Sequence, residues 1–322
     1  MMMHTIAILG GTGFVGQHLA SRLVKQGWQV RVLTRRREDH RELLVLPEAE
    51  VVTANVYDQA ALNAALAGCD AVVNLVGILN ESGFDGQGFR RAHVELTQKV
   101  ITACQENKVT HLLHMSALNA DAINGRSFYL KTKGEAQQLV HDSGLNVTSF
   151  RPSVIFGGDD SFFNRFASLL LFTPYFFPLA CAQAKFAPVW VDDVVTAMCK
   201  TLCQPAHYGQ SYGLCGPKVY SLGELVTYTA QLLGVKRKVI ALSDSLAQLQ
   251  AKVFERVPSK PFSTDNYLSL QTDSVCTDND LMRLGIEPHS IEAIMPRYFS
   301  GVSPRAAYQK FRHTARREDR AS

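Results

Sequence analysis

No apolar run in the 322 residues approaches the roughly 18 needed to cross a bilayer as a helix, so a membrane span is not expected. A secretory signal is not expected either. Met1-Met2-Met3-His4 carries no basic segment, and the apolar run after it is too short for a signal core. The seven cysteines (Cys69, Cys104, Cys181, Cys199, Cys203, Cys215, Cys276) are odd in number, scattered, and contain no Cys-x-x-Cys pair. That is the pattern of free thiols in a reducing compartment, not of a disulfide framework or a metal site. Internal repeats and low-complexity segments are absent. An excess of one charge is also missing from most of the chain. The net charge is +4, and the segment 301–322 supplies all of it, with Arg305, Lys310, Arg312, Arg316, Arg317 and Arg320 against Glu318 and Asp319. A neutral body argues against nucleic-acid binding as the main function, and the expected partner is a small-molecule substrate. The protein is expected in the cytoplasm. Its basic tail reads as a solvated terminus or as an attachment to an acidic membrane or partner, which leaves a place at the inner face of a membrane open.

Strand and helix patterns alternate through the first 150 or so residues. Short apolar runs at Thr5–Leu9, Gln29–Thr34, Val51–Asn55, Ala71–Val76, Leu112–Ser116 and Val147–Arg151 read as strands. Helical spacing at Phe14–Lys25, Gln59–Ala67, Phe89–Glu106 and Phe128–Asp142 separates them, and Gly27 is placed to end the first helix. Such βαβ units predict an α/β fold, a doubly wound parallel Rossmann sheet, with a smaller and mainly helical C-terminal lobe. The expected division is a dinucleotide-binding domain at 1–157, to which 187–216 returns through strands at Val189–Val191 and Tyr212–Cys215. Residues 158–186 and 217–300 form the lobe, and 301–322 the tail.

The loop Gly10-Gly11-Thr12-Gly13-Phe14-Val15-Gly16 sits where the first strand meets the first helix. Glycines at this spacing allow a tight turn, close backbone approach to a pyrophosphate, and close helix–strand packing, and the helix N-terminus faces the anion with unpaired N–H groups. About 20 residues beyond the loop, an NAD-preferring site places an acid on the ribose 2′-hydroxyl. Here the second strand ends instead at Thr34-Arg35-Arg36-Arg37. Arginines suit a 2′-phosphate, so Arg35 and Arg36 favour NADP(H) over NAD(H), against the alternative of a solvated loop.

Ser116 ends the fifth strand, and thirteen residues on comes Tyr129-Leu130-Lys131-Thr132-Lys133, the one Tyr-x-x-x-Lys in the sequence. Tyr129 and Lys133 stand one turn apart on one helix face. An ammonium there stabilises a phenolate and makes the tyrosine usable as an acid or base near neutral pH, while a serine hydroxyl can orient a substrate carbonyl.

With these motifs the chain resembles the short-chain dehydrogenase/reductase superfamily, in its extended and atypical branch. The resemblance implies Tyr129 as acid/base, Lys133 as its activator and ribose ligand, and Ser116 as the carbonyl-orienting group. It also implies adenine contacts from Asn55 and Val56, although Asn55 stands where the family often has Asp. Val76 and Gly77, in Asn74-Leu75-Val76-Gly77, would line the cofactor. The segments Gly10–Gly16, Asn74–Leu79, His114–Asp121, Tyr129–Glu135, Arg151–Gly157, Pro188–Val194 and Leu281–Pro288 are similar to the subfamily around alpha-subcomplex subunit nine of respiratory complex I. That likeness implies an NADPH-binding protein that works either as a reductase or structurally, in contact with a respiratory complex.

In the second half, Asp192-Asp193 reads as the cap of a helix more readily than as a catalytic pair, and His111 and His114 as strand packing. The stretch from Phe162 to Leu179 is very apolar, but Pro174 and Pro178 break it. Lobe core, the wall of an apolar pocket and a membrane-surface contact all suit it. Two function classes follow. One is an NADP(H)-dependent oxidoreductase acting on an apolar carbonyl or quinone-like substrate. The other is a non-catalytic nucleotide-binding accessory or assembly protein. The sequence assigns no oligomeric state.

Overall fold

Strand β1 (Thr5–Leu9) buries Ile6, Ala7, Ile8 and Leu9 completely, as a central parallel strand covered on both faces must. A computed structural model describes residues 4–257 and 260–299. From β1 the chain turns through the glycine loop into α1 (Phe14–Lys25), whose buried residues Gly16, Leu19, Ala20 and Leu23 lie on one face at helical spacing. There follow β2 (Gln29–Thr34), a short helix α2 (Arg41–Leu44), β3 (Ala49–Thr53), α3 (Gln59–Leu66) and β4 (Ala71–Asn74). Helix α4 (Gln87–Arg90) passes through a π-helical turn, Arg91–Glu95, into α5 (Leu96–Glu106). Then come β5 (His111–Met115), α6 (Phe128–Asp142) and β6 (Val147–Pro152).

The second half contains β7 (Ile155–Phe156), α7 (Ser161–Phe172), β8 (Phe176–Leu179), β9 (Lys185–Phe186) and β10 (Val189–Trp190). It continues with α8 (Val191–Thr201), β11 (Ser211–Leu214), β12 (Tyr220–Ser221), α9 (Leu222–Leu232), β13 (Lys238–Ala241) and α10 (Asp244–Phe254). The last described elements are α11 (Thr264–Ser269), α12 (Asp280–Arg283) and α13 (Ile291–Phe299). Among the described residues, no helix is long and apolar enough to cross a membrane.

The chain divides into two units. The first holds residues up to Ser153, with Val191–Cys215 and Cys276–Pro288. Its seven strands run in the order β11-β6-β5-β4-β1-β2-β3, and every neighbouring pair is parallel. This is the doubly wound Rossmann sheet. The winding reverses between β1 and β4, and the crevice at the C-terminal ends of those strands is where such sheets bind ligands. The second unit holds Val154–Trp190, Gly216–Val275 and the described residues from His289. It has helices α7, α9, α10, α11 and α13 and three two-stranded pairs, β10 with β7, β12 with β9, and β13 with β8. Its core gathers Phe156, Phe163, Leu170, Phe177, Leu225 and Met295.

Several expectations need correction. Val189–Val191 does not return to the main sheet. Val189 and Trp190 pair with Ile155 and Phe156, and Val191 already opens α8. Residues 276–288, expected in the lobe, belong to the first unit, where the Asp280 carboxylate accepts from Gly213 N–H at 2.7 Å. β3 lies two residues earlier than its apolar pattern suggested, since Ala49–Thr53 pair with Val30–Thr34 of β2, with Glu50 meeting Arg31 at 2.8 Å. The cysteines are not all free thiols. Cys215 and Cys276 form a disulfide across 61 residues, where the end of β11 meets the returning segment. Asn279 holds the same point, accepting from Cys215 N–H and donating to its carbonyl. Such a pairing is set by tertiary convergence and leaves no spacing signal in sequence. The basic segment 301–322 lies outside the described residues.

Candidate functional site

The glycine loop shows which of its members the fold itself requires. Gly10 has φ +75°, a left-handed conformation open to glycine at little cost, and a Cβ there would lie 3.2 Å from the backbone of Leu75 and Val76. A Cβ on Gly16 would stand 2.4 Å from the Gly10 carbonyl oxygen and 2.5 Å from Gly11 Cα, so α1 is packed directly onto the loop. A Cβ on Gly11 would meet Val32 Cγ1 at 2.8 Å. Gly13 differs. Its φ of −80° and ψ of 175° suit any residue, and the nearest atom to an added Cβ is the Gly10 oxygen at 3.3 Å. Gly13 is also the N-cap of α1 and supplies no side-chain acceptor to the first turn. Thr12 fixes the loop from the other side, its carbonyl accepting from the Gln17 amide at 2.9 Å, and Phe14 and Val15 begin the helix. This is a cradle with room at Gly13 and backbone donors around it, and it fits a pyrophosphate.

Thr34 ends β2 with its hydroxyl accepting from Arg36 N–H at 3.3 Å. Arg35 and Arg36 are exposed. Arg36 approaches Asp39 at 3.9 Å, whereas Arg35 has no carboxylate partner among the described residues. Across from them, Tyr57 carries the Arg91 guanidinium over its ring at 4.7 Å. Its hydroxyl is raised above its ordinary value by burial, with Arg91 and then Arg35 opposing. Arg35 and Arg91 therefore bring two cations to this end of the sheet. Asn55 lies beyond β3, exposed, its side chain accepting from Tyr57 N–H at 3.1 Å, and Val56 is partly buried beside the core.

At the other side of the crevice, α6 starts at Ser127, whose hydroxyl accepts from Leu130 N–H at 3.1 Å. A Cβ on Gly134 would sit 2.3 Å from Ala122 N, so this helix is pressed onto the loop after β5. Pressed there, α6 buries Lys133 to 4 % exposure and leaves Tyr129 partly exposed one turn earlier. The Lys133 ammonium donates to the Met115 carbonyl at 2.9 Å, and a Cβ on Gly77 would lie 3.0 Å from Nζ. Val76 is held next to it, its N–H donating to the Asn74 side chain at 3.2 Å. Burial lowers Lys133 to about 8. Among the described residues, Ser116, also buried, has no hydrogen-bond partner for its Oγ, and both ring nitrogens of buried His114 likewise have none. Lys133 thus joins the end of β5 at Met115, the residue before Ser116, to Gly77, and His93 lies against both Gly77 and Tyr129.

His93 was not anticipated. The π-helical turn carries it inward, where its Nε2 accepts from Ile78 N–H at 3.2 Å. Its Nδ1–H then donates to Thr132 Oγ1 at 2.8 Å, and the Thr132 hydroxyl passes on to the Phe128 carbonyl at 2.7 Å. Burial, with the Lys133 charge next, pushes His93 down to about 2, so it is a neutral wedge. Its ring stands edge-on to Tyr129 at 5.6 Å, and Phe89 supports the same tyrosine at 6.2 Å. A signal existed in the sequence, since His93 falls on the apolar face with Phe89, Leu96 and Val100. Asp192, expected as a cap, sits in the first turn of α8 and pairs with His18 at 3.0 Å.

Residues 10–163 match a family described as NAD(P)H-binding. The chain is 27 % identical over 303 residues to NADH dehydrogenase [ubiquinone] 1 alpha subcomplex subunit 9, mitochondrial, of Arabidopsis thaliana, covering 88 % of this chain and 74 % of the relative. It is 29 % identical over 174 residues to the 4-hydroxy-2-methyl-3-oxo-4-farnesyl-3,4-dihydroquinoline-1-oxide ketoreductase of Stigmatella aurantiaca, covering 48 % of this chain and 52 % of that one. Among solved structures it is similar to the dTDP-glucose 4,6-dehydratase DesIV of Streptomyces venezuelae, with NAD and TYD bound. The TM-score is 0.71 at 19 % identity, over 92 % of this chain and 95 % of the other. Residues 10–163 thus carry an NAD(P)H-binding family domain, and the chain is similar over most of its length to complex I subunit 9-like proteins.

Proposed function

We propose that the chain is an NADP(H)-dependent oxidoreductase acting on an apolar carbonyl or quinone-like small molecule at Tyr129, Lys133 and Ser116. The observation that carries this reading is the buried Ser116 hydroxyl, without a partner among the described residues, at the strand end to which buried Lys133 bonds, with the partly exposed Tyr129 one helical turn from that lysine. Buried polar groups in folded proteins are satisfied unless a ligand completes them. A bound reduced nicotinamide would supply hydride to the carbonyl carbon. The Tyr129 hydroxyl gives its proton to the carbonyl oxygen, the Lys133 ammonium stabilises the phenolate left behind, and Ser116 donates a hydrogen bond that orients the carbonyl. In this reading Gly10 to Gly16 hold the pyrophosphate, Arg35 and Arg36 the 2′-phosphate, Asn55 and Val56 the adenine, and Val76, Gly77 and Lys133 the nicotinamide ribose. The farnesylated ketone in the name of the Stigmatella relative supports an apolar substrate. We read the protein as cytoplasmic, working at the inner face of a membrane.

The test is NADPH oxidation against a panel of prenylated quinones and ketones. Tyr129→Phe should lower turnover by about 10²- to 10⁴-fold and leave nucleotide affinity nearly unchanged. A second reading, a nucleotide-binding accessory protein in contact with a respiratory complex, is favoured by the likeness to subunit 9 over 88 % of this chain. It prevails if the panel gives no turnover and the bound nucleotide does not exchange.

A further inference from the structure

We propose that α10, together with the outer face of β8 and β13, is a docking surface for an anionic lipid bilayer. The helix is inside out. Its buried positions are Ala247 and Ala251, set against Ala180 and Tyr267, while Leu246, Leu249 and Val253 are 51 %, 56 % and 50 % exposed. A helix packed only onto its own protein turns its large residues inward and its small ones out. The three exposed residues follow a spacing of three and four, so they form a stripe on the solvent side.

The neighbouring strands continue that stripe. Phe176 and Ile240 are exposed, and the parallel register Lys238↔Phe176 and Ile240↔Pro178 puts these side chains on one face. The Gln250 amide donates to the Pro178 carbonyl at 3.4 Å and ties α10 to the strand pair. Tyr175, 78 % exposed, is held at the same edge by Lys238 N–H, which donates to its carbonyl at 2.9 Å. Scattered exposed apolar residues need no explanation, but a contiguous apolar patch marks a surface that meets another phase or protein.

Charge decides the occupant. Between Lys236 and Lys260 there are six bases against Asp244 and Glu255, a local excess of +4. Both acids are already engaged, Asp244 by the Tyr267 hydroxyl and the Gln248 amide, and Glu255 by Thr264 N–H. Lys236, Lys238, Lys252 and Arg256 are exposed and in no ion pair among the described residues. Apolar side chains ringed by unpaired cations suit the headgroup region of an anionic bilayer, whereas a second copy would bring two such excesses together.

The inference extends the inner-membrane-face part of the proposal above. It is read without turnover, so its failure and that of the reductase reading are separate results. The full chain should co-sediment with vesicles of phosphatidylcholine mixed with phosphatidylglycerol, more weakly as salt rises, and far less with phosphatidylcholine alone. Lys238→Glu with Lys252→Glu, and separately Leu246→Gln with Leu249→Gln, should each lower partitioning by about tenfold or more while NADPH binding is retained. Wild-type partitioning in both variants overturns the proposal, as does equal binding to neutral vesicles. So does a concentration-dependent dimer that the leucine substitutions dissociate, since that assigns the face to a second copy.

Discussion

Gly13→Ala separates a phosphate cradle from a plain turn, because the protein itself has little need of glycine there. The backbone at Gly13 is extended, and an added Cβ would meet the Gly10 oxygen at 3.3 Å, a contact relieved by a few tenths of an ångström. Alanine is a poorer N-cap than glycine by several tenths of a kcal/mol or about 1 at most. The loss of backbone freedom in the unfolded chain offsets that by about 0.4–1 kcal/mol. The net change should lie within about 0.5 kcal/mol, which moves a melting midpoint by roughly 2 °C or less in a unit of this size.

Nucleotide affinity should respond differently. The methyl group would occupy the space where the pyrophosphate approaches the helix terminus, and a loss of 30-fold or more, about 2 kcal/mol, is expected. Gly16→Ala is the contrasting control. Its Cβ would overlap backbone at 2.4 and 2.5 Å, atoms that cannot swing aside, so α1 must move off the loop. Overpacking of this kind costs about 1–3 kcal/mol or more and should lower the midpoint by several degrees before any ligand is added. Calorimetric titration with NADPH, beside thermal melts of the ligand-free proteins, reads both quantities. If Gly13→Ala binds NADPH as the wild type does, the pyrophosphate does not sit over this loop and the reasoning fails.

Lys133 is lowered to about 8 by burial, so the folded protein releases a proton that the unfolded chain keeps up to the ordinary 10.5. Its contribution to stability is therefore lowest below pH 8 and rises with pH across that window, and Lys133→Met should abolish the rise in denaturant melts. For the same reason, carbonyl reduction should fall as pH increases through about 8, and a flat profile there would mean that the ammonium is not needed. His93→Phe removes the acceptor for Ile78 N–H and the donor to Thr132, at a cost of about 1–3 kcal/mol, and should lower kcat more than it raises KM by freeing the Tyr129 ring. His93→Asn should recover part of the rate, and equal losses in both variants with unchanged tyrosine spectra would refute a positioning role. Replacing Arg35 and Arg36 by alanine should cost NADPH about tenfold or more in affinity and NADH far less. Tighter binding of NADH than NADPH by the wild type would overturn the cofactor preference.

The first unit was legible wherever local rules and tertiary needs coincided. β1, α1 and β2 fall on the expected residues because buried apolar runs, a glycine loop and a glycine stop all point the same way. Tyr129 and Lys133 fall on α6 as expected, since helical spacing and a Ser127 cap agree. What escaped was set by distant partners. Val189 and Trp190 look like any short strand, and only the presence of Ile155 and Phe156 decides which sheet receives them. Cys215 and Cys276 meet through the return of residues 276–288 to the first unit, which no periodicity encodes. His93 lies on the apolar face of its helix, where a lone histidine reads as packing until its distant partners Ile78 and Thr132 are seen. Phe162–Leu179 divides between the competing expectations. Phe163, Leu170, Phe177 and Leu179 are core, whereas Phe172, Tyr175 and Phe176 face outward.

The groups left incomplete at the end of β5 weigh on whether the nucleotide is held or used. Lys133 has three donors and spends one on Met115, so two N–H groups remain inside the protein against Gly77. A protein that only holds a nucleotide can satisfy those donors with ribose hydroxyls, and Lys133 alone does not separate the two functions. Ser116 does. Its hydroxyl is buried without a partner, and an unpaired buried hydroxyl costs about 1–3 kcal/mol that an alanine would not incur. Tyr129 adds to this. Its ring stands edge-on to both His93 and Phe89 although the residue is partly exposed, a constraint that nucleotide binding does not call for. Under the reductase reading proposed above, an unpaired hydroxyl, a tyrosine braced by two rings and a lysine of lowered basicity suit carbonyl chemistry.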